Sequence, residues 1–387
     1  MIARNSTAVY KGKPVDVRQV GRDLGVNYVL EGSIQRQADR IRITAQLINA
    51  ESGTHIWSDR WDRPVQDVFA IQTEAAEEVA AALGGNLTMG QITRNELQRA
   101  KRMRPTKLKA YDYFLLGQEA KSTVSKESIP RGLDYLNKSI ALEPKLARAY
   151  SVRAWMHYFS MMYGADQATM RASMSADAET AVQLDQQDAE ALATLAYVRV
   201  LQGRYAEAEA QFRLAIELNP ANSHVLILAA SGLAFLGKAE EGAVFGDLAL
   251  RLDPRMTPAN RAGVKDAYYM AHRYEDTIAI VSPVPLESQT RDSWLFLAGS
   301  YVRLGKEKEA ADTKAKLLRA FPTVSAERML NEDYAFARKE DEDFFIDTFR
   351  VLELPVCMSA VDAKQTAVSY SLPACQEARG EATSVSP

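Results

Sequence analysis

The side chains that carry most enzyme chemistry are scarce in this sequence and widely spread. Four histidines, His55, His157, His224 and His272, stand far apart along the chain, without the short spacing of a local metal motif. Cys357 and Cys375 both fall in the last 31 residues, so no disulfide framework is expected, and two reduced thiols in a loose tail are the natural reading. No phosphate-cradling glycine loop, no nucleophile elbow, no paired zinc histidines and no C-x-x-C occur. The run Glu340-Asp-Glu-Asp343 offers carboxylates to a cation. It also opens a segment in which Phe344, Phe345, Phe349 and Leu352 share one helical face, and acids at a helix start are favoured by its dipole. A capping helix is the better reading. Between Arg94 and Lys109, seven basic residues stand against Glu96 alone. Without interleaved aromatics that stretch reads as a solvated linker helix. No catalytic constellation, no metal and no cofactor is expected.

The elements that would position such groups follow from an internal repeat. Leu142-Glu-Pro144, Leu184-Asp-Gln186, Leu218-Asn-Pro220 and Leu252-Asp-Pro254 recur at spacings of 42, 34 and 34 residues, and 68 more lead to Ala320-Phe-Pro322. Within the period, Ala196 with Ala208, Ala230 with Gly242, and Ala298 with Ala310 leave room for two antiparallel helices to approach. Gly203, Gly237 and Gly305 fall where the first helix of a pair must turn, and the prolines stop the second. A 34-residue period of two helices resembles the tetratricopeptide repeat, over residues 110–322, in about six units. The unit between Pro254 and Arg291 is degenerate, its second helix cut short by Pro283 and Pro285.

Stacked repeats form a superhelix whose concave face is lined by the first helix of each pair. Groove positions carried over from the family give Tyr197, Val200, Leu201, His224, Ile227, Phe235, Arg261, Lys265, Tyr268, Tyr269, Leu295 and Arg303. Of these, Tyr197, Phe235, Arg261, Lys265, Tyr268, Tyr269 and Arg303 are the expected partner-binding residues. Aromatics beside Arg and Lys suit a peptide or protein carrying acidic groups, although packing against neighbouring helices would use the same aromatics. The asparagines of a chaperone carboxylate clamp are missing from these positions.

Residues 1–90 read as a separate α+β unit. A short helix from Asp16 ends at Gly25, and Tyr28–Gln35 is a strand. Ile41, Ile43, Ala45 and Leu47 alternate with polar residues after a turn at Ala38-Asp39. His55–Trp61 follows as a third extended stretch, and a helix from about Val65 to Leu83 closes the unit. The runs Gly21-Arg-Asp-Leu-Gly-Val-Asn-Tyr-Val-Leu-Glu-Gly-Ser33, Arg42–Leu47 and Trp57–Asp62 resemble the TolB-N-like domain that precedes tetratricopeptide repeats in bacterial class III adenylate/guanylate cyclase-like signalling proteins. The likeness extends to about Leu354.

That resemblance implies a mostly α protein, with a small α+β domain at 1–90, a basic linker at 91–109, repeats at 110–322, a capping helix region at 323–354 and a tail at 355–387. It implies a non-catalytic interaction and regulatory module. The alternatives are part of a cyclase whose catalytic domain lies elsewhere, or the sensory half of a transcription regulator. Relatives place a catalytic or DNA-binding domain ahead of the Ile2–Thr7 segment. Met1 here falls inside an expected strand, so self-association through an incomplete sheet is a further expectation. With 47 basic and 50 acidic residues the net charge is −3, which gives no support for nucleic-acid binding. No signal peptide or membrane span is legible, and a cytoplasmic protein is expected.

Overall fold

The computed structural model describes residues 7, 10, 15–64, 66, 75, 76, 79, 90–254, 256–365 and 370–380. The chain divides into two compact units, Met1–Met103 and Arg104–Pro387.

In the first unit, helix α1 (Val17–Leu24) is capped by the Asp16 side chain, which accepts from the Arg18 amide. It is stopped by Gly25 in the left-handed conformation. Strands β1 (Tyr28–Gln37), β2 (Arg40–Asn49) and β3 (His55–Pro64) form an antiparallel meander in the order β1-β2-β3. The alternation in β2 sets its register. Ile43 lies opposite Ile34 and Trp61, and Leu47 opposite Leu30 and Trp57, so the apolar residues share one face. Ala45, Trp61 and Ala75 make its core, with Ile43, Trp57 and Val79 against it. On β2 and β3, Arg40 and Arg42 pair with Asp62 at 3.0 and 2.6 Å. The expected helix from Val65 to Leu83 and the segment before Thr7 lie almost wholly outside the described residues. Helix α2 (Gln91–Arg102) carries much of the basic run. With β3 it lines a cleft of about 550 Å³, edged by Ile56, Arg94, Gln98 and Arg102. Tyr28 donates to Glu96 at 2.6 Å, tying β1 to this helix.

The second unit is a stack of six helical hairpins among the described residues. They are α3 (Ala110–Ser122) with α4 (Ser128–Leu142), α5 (Ala147–Met162) with α6 (Gln167–Leu184), and α7 (Ala189–Leu201) with α8 (Tyr205–Leu218). Next come α9 (Ser223–Phe235) with α10 (Ala239–Leu252). The fifth hairpin has a broken first helix: α11 (Pro258–Arg261), a 3-10 turn at Ala262–Val264, and α12 (Lys265–Met270), followed by the short α13 (Tyr274–Val281). The sixth is α14 (Arg291–Arg303) with α15 (Glu307–Ala320).

The small residues sit where the helices touch. A Cβ on Gly242 would lie 2.6 Å from the Ala230 carbonyl oxygen, so α9 and α10 approach backbone to backbone only because that position is glycine. Between paired helices, Gly203, Gly237 and Gly305 have φ of 71°, 76° and 70°. The fifth hairpin holds His272 at φ 58° in the same place, and its ring nitrogen shares a 2.7 Å hydrogen bond with the Tyr274 hydroxyl. Asp166, Asp188 and Asn222 cap α6, α7 and α9 through their side chains. Every residue of α9 is buried, including Ser223, His224 and Ser231.

Beyond the hairpins, α16 (Ala326–Glu332), α17 (Lys339–Val351), α18 (Ala360–Gln365) and α19 (Pro373–Arg379) complete the unit. The expectation of a loose tail with reduced thiols is corrected here. Cys357 and Cys375 are joined in a disulfide with a Cα–Cα distance of 5.3 Å, and Cys375 is fully buried. Beside it the buried Glu327 carboxylate takes two hydrogen bonds from Arg379, at 2.7 and 3.0 Å, one from Ser371 and one from the Met358 amide. Buried charge with all its partners present is the mark of a packed segment. Among the described residues no helix is long and apolar enough to cross a membrane.

Candidate functional site: an occupied concave groove

The inner surface of the hairpin stack is not open. The last turn of α16 and the loop that leads from it to α17 run back across it, and Asn331 and Glu332 of that turn are buried there with Asp333, Tyr334 and Phe336 of the loop. Its acid pair meets one guanidinium: Arg291, at the start of α14, donates to Glu332 at 2.6 Å and to Asp333. Arg171, on α6, donates to the backbone carbonyls of Asn331 and Glu332 at 2.6 and 2.7 Å. Tyr334 enters an aromatic pocket, edge-on to Phe235 and Phe296 with centroids at 5.2 and 6.1 Å and stacked on Phe345 at 4.8 Å. Its hydroxyl donates to Asp266 at 3.3 Å. Phe336 packs edge-on to Phe235 at 5.6 Å, and its carbonyl accepts from the Tyr205 hydroxyl at 2.9 Å. The Ala337 amide then donates to the Phe235 carbonyl at 2.9 Å. Side chains from five successive hairpins thus hold one helix end and the irregular loop after it.

Around the pocket lies a buried network of charge. Lys265 pairs with Asp292 at 2.7 Å and with Asp266 at 3.6 Å, and Ser231 donates to Asp266 at 2.7 Å. Burial works against the Lys265 charge, yet Asp266 and Asp292 together hold its pKa above the ordinary value. Burial raises Asp266 and also Asp333, the latter with Glu332 and Asp292 adding to the effect against the pull of Arg291. Asp292 is lowered, because Lys265 outweighs its burial. One carboxylate oxygen on each of Asp292 and Asp333 is buried without a hydrogen-bond partner.

A second polar cluster sits nearby. Glu190 on α7 meets His224 Nδ1 at 3.3 Å and Asn222 at 3.2 Å, with Lys121 Nζ 3.4 Å from His224 Nε2. Burial opposes the Glu190 charge, but His224 and Lys121 bring its pKa down to about 2. Burial, then the Lys121 charge, depress His224.

The predicted groove residues fall into two groups. Tyr197, Phe235, Lys265, Tyr269 and Arg303 come together on the inner surface. Tyr197 packs on Trp155 at 5.1 Å and edge-on to Phe235 at 6.4 Å. Tyr269 stacks on Phe296 at 4.5 Å and shares a 2.8 Å hydrogen bond with the Thr348 hydroxyl of α17, and burial pushes its own hydroxyl up to about 12. Arg303 pairs with Asp347 of α17 at 2.6 Å. Tyr268 is different: it donates to Asp247 on α10 at 2.6 Å beneath the Arg273 guanidinium, so it packs between hairpins. Arg261 is half-buried at the end of α11. Phe235, Tyr269 and Arg303 are in contact with the chain's own 331–352 segment, so the packing use of these aromatics, the alternative to partner binding, is present at those positions. Sequence reasoning missed Arg171, Arg291, Asp266 and the occupant itself. The only available signal was two carboxylates followed by two aromatics in an aperiodic stretch.

Residues 189–222, the third hairpin through the cap of the fourth, match the family model described as tetratricopeptide repeat. The stack is a tetratricopeptide-repeat array. The chain is 35% identical over 212 residues to the protein named "Putative adenylate cyclase 3" of Rhizobium meliloti (strain 1021), covering 54% of this chain and 35% of that protein. It is therefore related to adenylate cyclase-like proteins, and it spans about a third of the length of the curated relative it matches. Solved structures similar to the tetratricopeptide array include pilF of Pseudomonas aeruginosa, at 18% identity and a TM-score of 0.37 over 56% of this chain and 93% of that one. The Cut9–Hcn1 assembly matches at 14% identity and a TM-score of 0.43 over 70% of this chain and 47% of that one. The disulfide sits poorly with the expected cytoplasmic placement, where thiols are kept reduced.

Proposed function

We propose that this chain is a non-catalytic interaction and regulatory module of a bacterial signalling protein, whose concave groove takes a peptide or protein partner. The observation that carries this reading is the seating of the α16 end and the loop after it across five hairpins, held through both backbone and side chains. A surface that grips a segment this way has the recognition chemistry of a peptide site. Among the described residues of the array, no grouping of side chains resembles a nucleophile with its base. The buried charges are paired with one another along the groove. The relation to a protein named as an adenylate cyclase favours a place in cyclic-nucleotide signalling, with the catalytic domain in the part of the relative that this chain does not match. Self-association through the amino-terminal sheet remains a separate expectation. It is supported by β1 ending the described sheet with Leu30 and Ile34 exposed on its apolar face.

Display of random peptides against the full chain tests the reading. Enriched peptides whose capture falls when Arg291 or Arg171 is changed to Gln support it. Absence of any enrichment, together with cyclic AMP formation by the chain alone, would contradict it.

A further inference from the structure

The groove already displays the chemistry of what it binds. Glu332 and Asp333 share the Arg291 guanidinium, Tyr334 fills the pocket between Phe235 and Phe296, and Phe336 packs on Phe235 two residues further on. Arg171 takes the last two carbonyls of α16, those of Asn331 and Glu332, and Tyr205 takes that of Phe336, while the Asp333 and Tyr334 amides turn back to the Met329 carbonyl. That pattern is sequence-selective at the acids and aromatics, and indifferent at Ala335.

The fit is also imperfect. Asp333 is buried with one oxygen lacking a hydrogen bond, and so is Asp292. Buried ion pairs return little net stability over an apolar core of the same shape, so a segment held by them is retained for its specificity more than its strength. An occupant with unmet polar groups can be replaced by one that meets them.

We propose that the groove recognises a peptide bearing two adjacent carboxylates at the end of a helical turn, then an aromatic, a spacer and a second aromatic, and that Glu332–Phe336 is a built-in occupant such a partner displaces. This rests on the reading of the chain as an interaction module and names the partner class for that same groove. Because the built-in segment is tethered, it competes at high effective concentration and keeps the groove closed to weak ligands.

The test uses a fluorescein-labelled peptide with the sequence of Leu330–Arg338 and the full chain. In fluorescence anisotropy, a chain carrying Tyr334→Ala and Phe336→Ala should bind it saturably, and the unaltered chain at least ~10-fold more weakly. Adding Arg291→Gln to the altered chain, or replacing the peptide's acids by their amides, should each weaken binding by at least ~10-fold. Thermal unfolding of each variant establishes that it folds. If loss of both rings prevents folding, Glu332→Gln with Asp333→Asn loosens the segment and keeps the aromatic packing. Lack of saturable binding to a cooperatively folded loosened chain would overturn the proposal, as would binding indifferent to Arg291. If display instead enriches peptides without the acid–aromatic pattern, the proposal fails while the interaction reading stands.

Discussion

Arg291 and Asp333 form a buried ion pair that joins the start of α14 to the loop between α16 and α17, with both side chains under a tenth exposed. Removing one partner of such a pair leaves the other charged and desolvated. Arg291→Ala should therefore cost about 3–5 kcal/mol of stability. The double change with Asp333→Asn should cost less than the sum of the two singles. Denaturant unfolding of the four proteins measures the coupling.

Two glycines separate two physical causes. Gly242→Ala forces a Cβ against the Ala230 carbonyl and should cost about 1–3 kcal/mol. At Gly203 the space is open but φ is 71°, so Gly203→Ala should cost about 1–2 kcal/mol through backbone strain alone. Asn tolerates the left-handed region, so Gly203→Asn should recover part of that loss in thermal unfolding. Gly242→Asn should recover nothing.

Acid should destabilise the hairpin stack through Glu190. Its folded pKa of about 2 lies below the ordinary 4.5, so its stabilising contribution is present above pH 4.5 and is lost as pH falls toward 2. His224 is depressed below 6.5, so the unfolded chain takes up that proton first and stability also declines as pH falls below about 6.5. Asp266 and Asp333 act with the opposite sign, their ionised forms costing stability as pH rises above 3.8. Glu190→Gln should flatten the fall in stability between pH 4.5 and 2, as read from urea midpoints across that range.

The Cys357–Cys375 bond closes an 18-residue separation, for which the loop-entropy estimate is about 3 kcal/mol. Reduction, or Cys375→Ser, should lower the unfolding midpoint and speed proteolysis after residue 355, while the hairpins keep their helical signal. A midpoint unchanged by reductant would show that the segment is held by Glu327 and Arg379 alone.

The hairpins are legible in the sequence because their determinants are local and periodic. Small residues recur at helix contacts, glycines at turns and prolines at helix ends, each within one 34-residue window. The alternation Ile41, Ile43, Ala45, Leu47 reveals β2 for the same reason. The occupied groove is not legible. Asn331–Phe336 has no period, and its partners Arg171 and Arg291 lie 160 and about 40 residues away. Tyr268 was assigned to the groove by counting helical positions. A 3-10 turn at Ala262–Val264 interrupts the helix before it, and the Tyr268 side chain bonds Asp247 on α10. The cysteine pairing is not legible either, because the chain around Cys357 and Cys375 shows no periodic element that would bring the two together.

The central claim is that the inner surface of the array is a recognition site for an acid–aromatic segment. Photo-cross-linking tests it most directly, using the Leu330–Arg338 peptide with a benzophenone side chain in place of Phe336 and the loosened full chain. The account predicts adducts within Tyr205–Phe235, where Phe336 itself sits between Tyr205 and Phe235. Adducts confined to the outer helices or to the amino-terminal unit would contradict it.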